Sequence, residues 1–433
     1  VAARTRRGCK GDEHAKRDPF GPAAVTRPNV LLLAIDSLRA DVVFRDDVPT
    51  PNIDRHAARG AAFTQCISTC TSTTPSFSSI LTGCYPPKHG MRGLRGYRLN
   101  PSVTTMPECF AAAGYATHAE VAGPLLPQTG VLRGFEEARC RRAYKVPWFS
   151  WRDEIVAKMR AYRAPWLMLL HVCEVHRPYK PPPDYTERNY RAGYEAAVAA
   201  ADASLAPVFE AAGEDTIVVV TGDHGEDYPS SKLEWTLGGV ARRLRRKVRL
   251  AKWAPRLDRR FAGLEIGHGF ALFEQLIRVP LVLSGPGVAR ARIDAQVRHV
   301  DLLPTLAELC GLAPPAGIDG RSLVPLMRGE ELAPEPAYLE AVGVKLEGHR
   351  IVGARTPRWK LLRPGHGRPA LYRLDGGAPP DEKHNVFGQH PDVVRELEDY
   401  IASIASTEVE AVSGMTSEEE QVVERHLADL GYL

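Results

Sequence analysis

Several short stretches of this sequence carry residue types that could do chemistry together. Asp36 directly follows the apolar run Val30–Ile35, Glu174 and His176 follow Trp166–Val172, and Asp223 and His224 follow Ile217–Thr221 after one glycine. His268 stands between Gly267 and Gly269. Asp, Glu and His offer the mixed oxygen and nitrogen donors that suit zinc or manganese, whereas calcium favours an all-oxygen set. A hydroxyl-rich stretch, Thr73-Thr74-Pro75-Ser76-Phe77-Ser78-Ser79, runs into Ile80 and Leu81. Threonine is a weak nucleophile at neutral pH, and a divalent ion beside Thr73 would lower its pKa and aim an alkoxide at an electrophile. Backbone N–H groups at the helix start, with the Ser76 hydroxyl, would hold an oxyanion.

Each of these residues also has a plain structural reading. Ser and Thr ahead of a helix are favoured caps, and on its own stretch Thr73 reads as one. Asp36 is equally suited to cap a helix begun at Ser37-Leu38. A lone histidine such as His176 is more often hydrogen-bonded than ligating, and Gly267-His268-Gly269 reads as a loop turn. A metal site is favoured by the coincidence of three apolar runs ending in ligand-type residues.

Those runs must be strands. Short, uninterrupted apolar segments suit a parallel sheet buried on both faces, and ligands bind beyond the carboxyl ends of such strands. Thr50-Pro51 through Gly60 reads as a capped helix. Residues 99–120 alternate a helical pattern with a short strand, and Val279–Leu283 adds a further strand. The expected fold is therefore α/β: a doubly wound, mostly parallel sheet flanked by helices. Pro-rich loops at Ala313-Pro314-Pro315 and Ala333–Pro336 mark a boundary. Beyond them, Arg350–Gly353, Trp359–Leu362 and Ala370–Leu374 predict a smaller antiparallel sheet, followed by helices over 391–403 and 416–430. The organisation expected is a basic leader (1–26), a catalytic domain (27–335) with an inserted segment (about 228–264), and a C-terminal subdomain (336–433).

The 433 residues, 44% of them hydrophobic, suffice for a large core. A formal net charge of +4 is too small to imply nucleic-acid binding. No apolar run reaches the roughly 18 residues that span a membrane, and the polar leader has no apolar segment of a secretory signal, so a cytoplasmic location is expected. The eight cysteines lack Cys-x-x-Cys spacing and read as buried thiols; Cys66 and Cys70 would share a face if their segment were helical. Residues 236–260 concentrate Arg and Lys. They read as a solvated basic helix, a lid that attracts a polyanionic substrate, or a surface for anionic lipid.

The order of motifs resembles the alkaline phosphatase superfamily and its sulfatase-like branch. The resemblance rests on Arg27-Pro28-Asn29-Val30 leading to Asp36, Thr50–Asp54, Leu81-Thr82-Gly83 with Tyr85-Pro86 and His89-Gly90, and Gly222–Glu226. Val279-Pro280-Leu281 with Gly285-Pro286-Gly287, Arg355–Lys360, and Leu371-Tyr372 with Asp375 extend it to about residue 403. Sulfatases of this family carry Cys or Ser, matured to formylglycine, in a Cys/Ser-x-Pro-x-Arg frame. Here that frame reads Thr73-Thr74-Pro75-Ser76-Phe77, similar instead to the nucleophile turn of phosphodiesterase and phosphoethanolamine transferase members. The resemblance implies that Asp36, Thr73, Asp223 and His224 hold one ion, and that His176 and His268, joined by Glu174, bind a second ion or phosphoryl oxygens. It implies Zn²⁺ first, Mn²⁺ second and Ca²⁺ least, because the acidic pair usual after the first strand is reduced to Asp36-Ser37. The activity expected is hydrolysis of an anionic phosphoric ester, mono- or diester, through a phosphothreonine. Sulfuric ester hydrolysis, phosphotransfer or a catalytically idle member are the alternatives.

Overall fold

The computed structural model describes residues 27–141, 146–177, 190–228, 268–343, 350–365, 367–374, 382–409 and 415–430, with Leu233, Thr236, Leu237 and Val240. The leader 1–26, Gly267, Asp375 and nearly all of the basic segment 236–260 lie outside the described residues. Among the described residues, no helix is long and apolar enough to cross a membrane.

The main sheet is built around β1 (Asn29–Ile35), whose side chains divide between two cores by strand alternation. Val30, Leu32 and Ala34 join one apolar cluster, Leu31, Leu33 and Ile35 the other. That double burial is why the run is uninterrupted. The remaining strands are β2 (Ala61–Ile67), β3 (Ala116–Ala122), β4 (Glu137–Arg141), β5 (Trp166–Val172), β6 (Thr216–Gly222), β7 (Arg278–Ser284) and β8 (Ala291–Arg298). Their order is β4-β3-β5-β1-β6-β7-β2-β8. β1 pairs in parallel with β5 and β6, whereas β7 runs antiparallel to both neighbours.

Helix α1 (Pro51–Arg59) joins β1 to β2, and α2 (Thr73–Thr82) comes after β2. Phe77, Ile80 and Leu81 seat α2 on the first core, while α3 (Trp148–Met159) and α4 (Tyr190–Ala212) cover the second. Cys66 lies in a strand, so it shares no helix face with Cys70; all cysteines among the described residues are free thiols. β9 (Ala337–Val342), β10 (Arg350–Arg355), β11 (Trp359–Pro364) and β12 (Ala370–Arg373) form the small antiparallel sheet in the order β12-β11-β10-β9. Helix α5 (Pro391–Ala405) packs Val394 and Leu397 against it. A terminal helix, α6 (Ser417–Asp429), opens with a capping box between Thr416 and Glu419.

Register positions the chemistry. Ile35 sits level with Val172 of β5 and Gly222 of β6, so Asp36, Cys173 and Asp223 leave the sheet at one height.

Candidate metal centre and nucleophile

Asp36 leaves β1 into an unusual turn: Ser37 has φ of +64°, a left-handed conformation that non-glycine residues seldom adopt. The turn is held from several sides. The Ser37 amide donates to Asp223 Oδ1 at 3.0 Å, its hydroxyl donates to Asp36 Oδ1 at 2.9 Å, and its carbonyl accepts from the Tyr194 hydroxyl. Asp36 caps no helix; the next one begins after Arg39, which gives no side-chain cap. The capping reading of Asp36 therefore does not hold.

Asp223 is fixed in the same manner. Its Oδ1 also accepts from the His224 amide at 2.8 Å, which leaves Oδ2 buried and without a hydrogen-bond partner. Ser76 and Ser68 both donate to its backbone carbonyl, and His299, just past β8, lies 3.3 Å from the Ser76 hydroxyl. The Ser76 hydroxyl, expected to hold an oxyanion, here gives its proton to the Asp223 backbone carbonyl. Gly225 is required next: a Cβ there would lie 1.9 Å from the Gln275 carbonyl oxygen, since the chain packs directly on that backbone.

His171, the second-last residue of β5, is a ligand-type residue that the motifs do not single out. Asp36, His171 and Asp223 present atoms all within 4.8 Å of one another. His224 joins them, its Nε2 3.9 Å from Asp36 Oδ1 and 3.4 Å from Asp223 Oδ2. His171 Nδ1 lies 2.9 Å from the Ala122 carbonyl and His224 Nδ1 2.8 Å from that of Gly225. A carbonyl only accepts, so both Nδ1 atoms carry a proton and both rings turn Nε2 into the cluster. Two carboxyl groups and two Nε2 atoms converge, and Asp223 Oδ2 and His171 Nε2 are orphaned. This donor set fits a divalent ion.

The charges agree. Burial, reinforced by the Asp223 charge, holds the Asp36 carboxyl well above its ordinary value. Burial also acts on Asp223, but His224 and the backbone amides of Ser37 and His224 outweigh it and hold that carboxyl low. Burial pushes His171 down to about 4, so it stays neutral.

Thr73 is the first residue of α2, not its cap. Ser72 holds the cap position and makes no side-chain cap hydrogen bond. The Thr73 hydroxyl is 1% exposed and lies 3.5 Å from His224 Nε2, at the edge of the cluster. Phe77, one turn on, packs its ring edge against His171, with centroids 4.9 Å apart.

A second group lies beside the first. His176 Nε2 and His268 Nε2 are 3.3 Å apart, and the His224 and His268 rings lie 4.3 Å apart. His176 Nδ1 donates to the Arg177 carbonyl and His268 Nδ1 to Glu226 Oε1. Burial lowers both imidazoles, His268 to about 4. Burial would raise the Glu226 carboxyl, but Arg177 and His268 together hold it low. The Glu174 carboxylate takes the Arg141 guanidinium and the Cys173 amide.

Known proteins share this fold and its motifs. The sulfatase family description matches residues 28–312, about two-thirds of the chain, and the chain belongs to that family of ester-bond hydrolases. A second description, N-sulphoglucosamine sulphohydrolase, C-terminal, matches residues 269–407. Arylsulfatase K of Bos taurus is 26% identical over 50% of this chain, and the match spans only 37% of that relative's length. An ulvan-active sulfatase of Formosa agariphila is 23% identical over 84% of this chain and 78% of its own. Among solved structures, the phosphonate monoester hydrolase of Agrobacterium radiobacter superposes with a TM-score of 0.68 at 18% identity, covering 90% of this chain and 99% of its own. A putative sulfatase from Bacteroides thetaiotaomicron gives 0.65 at 20% identity, covering 91% and 96%. At these identities the structures establish the fold.

Proposed function

We propose that this chain hydrolyses anionic phosphoric esters in a divalent-metal-dependent reaction with the Thr73 hydroxyl as nucleophile. The observation that carries the reading is the position of Thr73: a threonine, uncommitted to capping, at the edge of a buried set of metal-type donors. Asp36, Thr73, Asp223 and His224 would hold the ion, and zinc or manganese suits such a mixed donor set better than calcium. When bound, such an ion neutralises charge and lowers the pKa of a neighbouring hydroxyl.

The bond formed is Thr73 Oγ1 to phosphorus; the bond broken is the ester P–O, whose alcohol leaves with a proton. Water then cleaves the phosphothreonine. Amides at the start of α2 face the same region and are suited to a nonbridging oxygen. His176 and His268 meet Nε2 to Nε2, so an arriving anion supplies the countercharge that draws a proton onto the pair and turns it into a donor toward phosphoryl oxygen. A fold shared with a phosphonate monoester hydrolase accommodates reaction at phosphorus.

The second reading, sulfuric ester hydrolysis by the unmodified threonine, is favoured by the family match and by the sulfatase relatives. One experiment separates the two. Wild type, Thr73→Ala and Thr73→Ser are assayed on aryl phosphate monoesters, phosphate diesters and sulfates with Zn²⁺ or Mn²⁺. The proposal expects phosphoester turnover to exceed sulfatase turnover, with at least about a 1,000-fold loss in Thr73→Ala. Undiminished turnover in Thr73→Ala removes the nucleophile, and dominant sulfatase activity selects the second reading.

A further inference from the structure

We propose that His171 is a nitrogen ligand of the ion site and sets its selectivity for zinc or manganese over calcium. This rests on the metal-dependent reading above and adds to it a ligand residue and the structural cause of the selectivity.

The imidazole is aimed. His171 is fully buried in β5, level with Ala34 of β1, so its side chain stands on Ala34's face of the sheet, one residue before the edge where Asp36 emerges. The Ala122 carbonyl fixes its tautomer, with the proton on Nδ1. The edge of Phe77, inclined at 74° to the ring, packs against it. Nε2 then faces Asp36 Oδ2 at 3.7 Å with no hydrogen-bond partner. That distance is too long for an O–H···N bond, which would need about 2.8 Å. A lone pair and a carboxylate oxygen repel at this separation unless a cation lies between them. Asp223 Oδ2, likewise buried and unpartnered, supplies the third side of the same space.

The replacement of ligands is chemical. At Ser37, where a second carboxylate would supply further oxygens, the hydroxyl and amide instead orient Asp36 and Asp223. His171 enters from a different strand and brings a borderline nitrogen donor. With His224, the set becomes two carboxylates and two imidazoles, which calcium, seeking six to eight oxygens, is ill matched to.

The test is binding, independent of turnover. The full chain is stripped with EDTA and titrated calorimetrically with Zn²⁺, Mn²⁺ and Ca²⁺, and Co²⁺ is added to record its visible spectrum. Wild type is expected to bind Zn²⁺ or Mn²⁺ at least roughly 100-fold more tightly than Ca²⁺; His171→Asn should lose roughly 10- to 100-fold of the Zn²⁺ affinity, alter the Co²⁺ spectrum and leave Ca²⁺ binding little changed. Imidazole ¹⁵N spectra of the wild-type protein, with and without Zn²⁺, serve should the variant not fold; coordination should shift Nε2 of His171 while Nδ1 keeps its proton. A preference for Ca²⁺, an unchanged Zn²⁺ affinity in the variant, or an unmoved Nε2 resonance overturns the proposal. Loss of activity in the Thr73 series has no bearing on these readouts, so failure of the reaction assignment and failure of the ligand assignment are distinguishable.

Discussion

Asp36→Asn should stabilise the metal-free protein and destabilise the metal-loaded one. In the free chain Asp36 is 1% exposed and shares its space with Asp223, and burial and that charge hold its carboxyl above the ordinary value of 3.8. The amide is nearly isosteric and still accepts the Ser37 hydroxyl. The gain has a ceiling, because the carboxyl can always escape by taking up a proton. At about 1.4 kcal/mol per pH unit between 3.8 and neutrality, that ceiling is about 4 kcal/mol. A chain of 433 residues, at about 2.1 cal/mol/K each, unfolds with an entropy near 0.9 kcal/mol/K, so a gain of about 1–4 kcal/mol raises Tm by about 1–4 °C. A carboxyl with a raised folded pKa costs stability only above its unfolded value, so the gain should vanish below about pH 4 and be full above the folded pKa. Saturating Zn²⁺ reverses the order: at 1,000 times Kd it stabilises wild type by about 4 kcal/mol, while the variant, short of a ligand, gains much less. Calorimetric melts of both proteins in EDTA and in Zn²⁺ measure all of this. A lower Tm for Asp36→Asn in EDTA would refute the picture of an uncompensated carboxylate.

Glu274 takes Arg355 and the fully buried Lys360, and Glu274→Ala removes the carboxylate from Arg355 and leaves Lys360 with that of Glu382 alone. A loss of about 3–5 kcal/mol, or about 3–6 °C in Tm, is expected by urea and thermal unfolding. Gly225→Ala places a Cβ into the Gln275 carbonyl and should cost more than about 2 kcal/mol; because the shift moves Asp223 and His224, Zn²⁺ affinity measured calorimetrically should fall with it. His89 is buried with Nδ1 accepting from the Met91 amide and Nε2 donating to Ser79, and burial lowers it to about 3. Since the unfolded chain binds that proton first, its contribution is full above pH 6.5 and is lost as pH falls. His89→Asn should flatten the stability difference between pH 7.5 and 5.5 by about 1.4 kcal/mol in urea titrations.

The sequence by itself determined the strands and which residues stand at their ends. Double burial demands uninterrupted apolar runs, so β1, β5 and β6 were legible as such, and ligand-type residues directly after Ile35 and Gly222 could only sit at the carboxyl edge. The small sheet was legible from its shorter alternating segments. Tertiary structure decided which of the polar residues meet. Glu174 and His176 are two positions apart, yet one pairs with Arg141, 33 residues earlier, and the other meets His268, 92 residues later. No local pattern encodes those distances. Ser76 stands one helical turn from Thr73 and carries the same kind of hydroxyl, but the Asp223 carbonyl claims it. His171 was hidden for the opposite reason: inside an apolar strand a histidine reads as packing, and the one visible signal was a titratable ring in a run that otherwise had none. Its meaning depends on the register of β5 against β1 and on the carbonyl of Ala122, which turn a buried imidazole into a lone pair aimed at Asp36. Residue type sets what a side chain can donate, whereas the partner that takes its proton sets what is left to donate, and that partner comes from elsewhere in the chain.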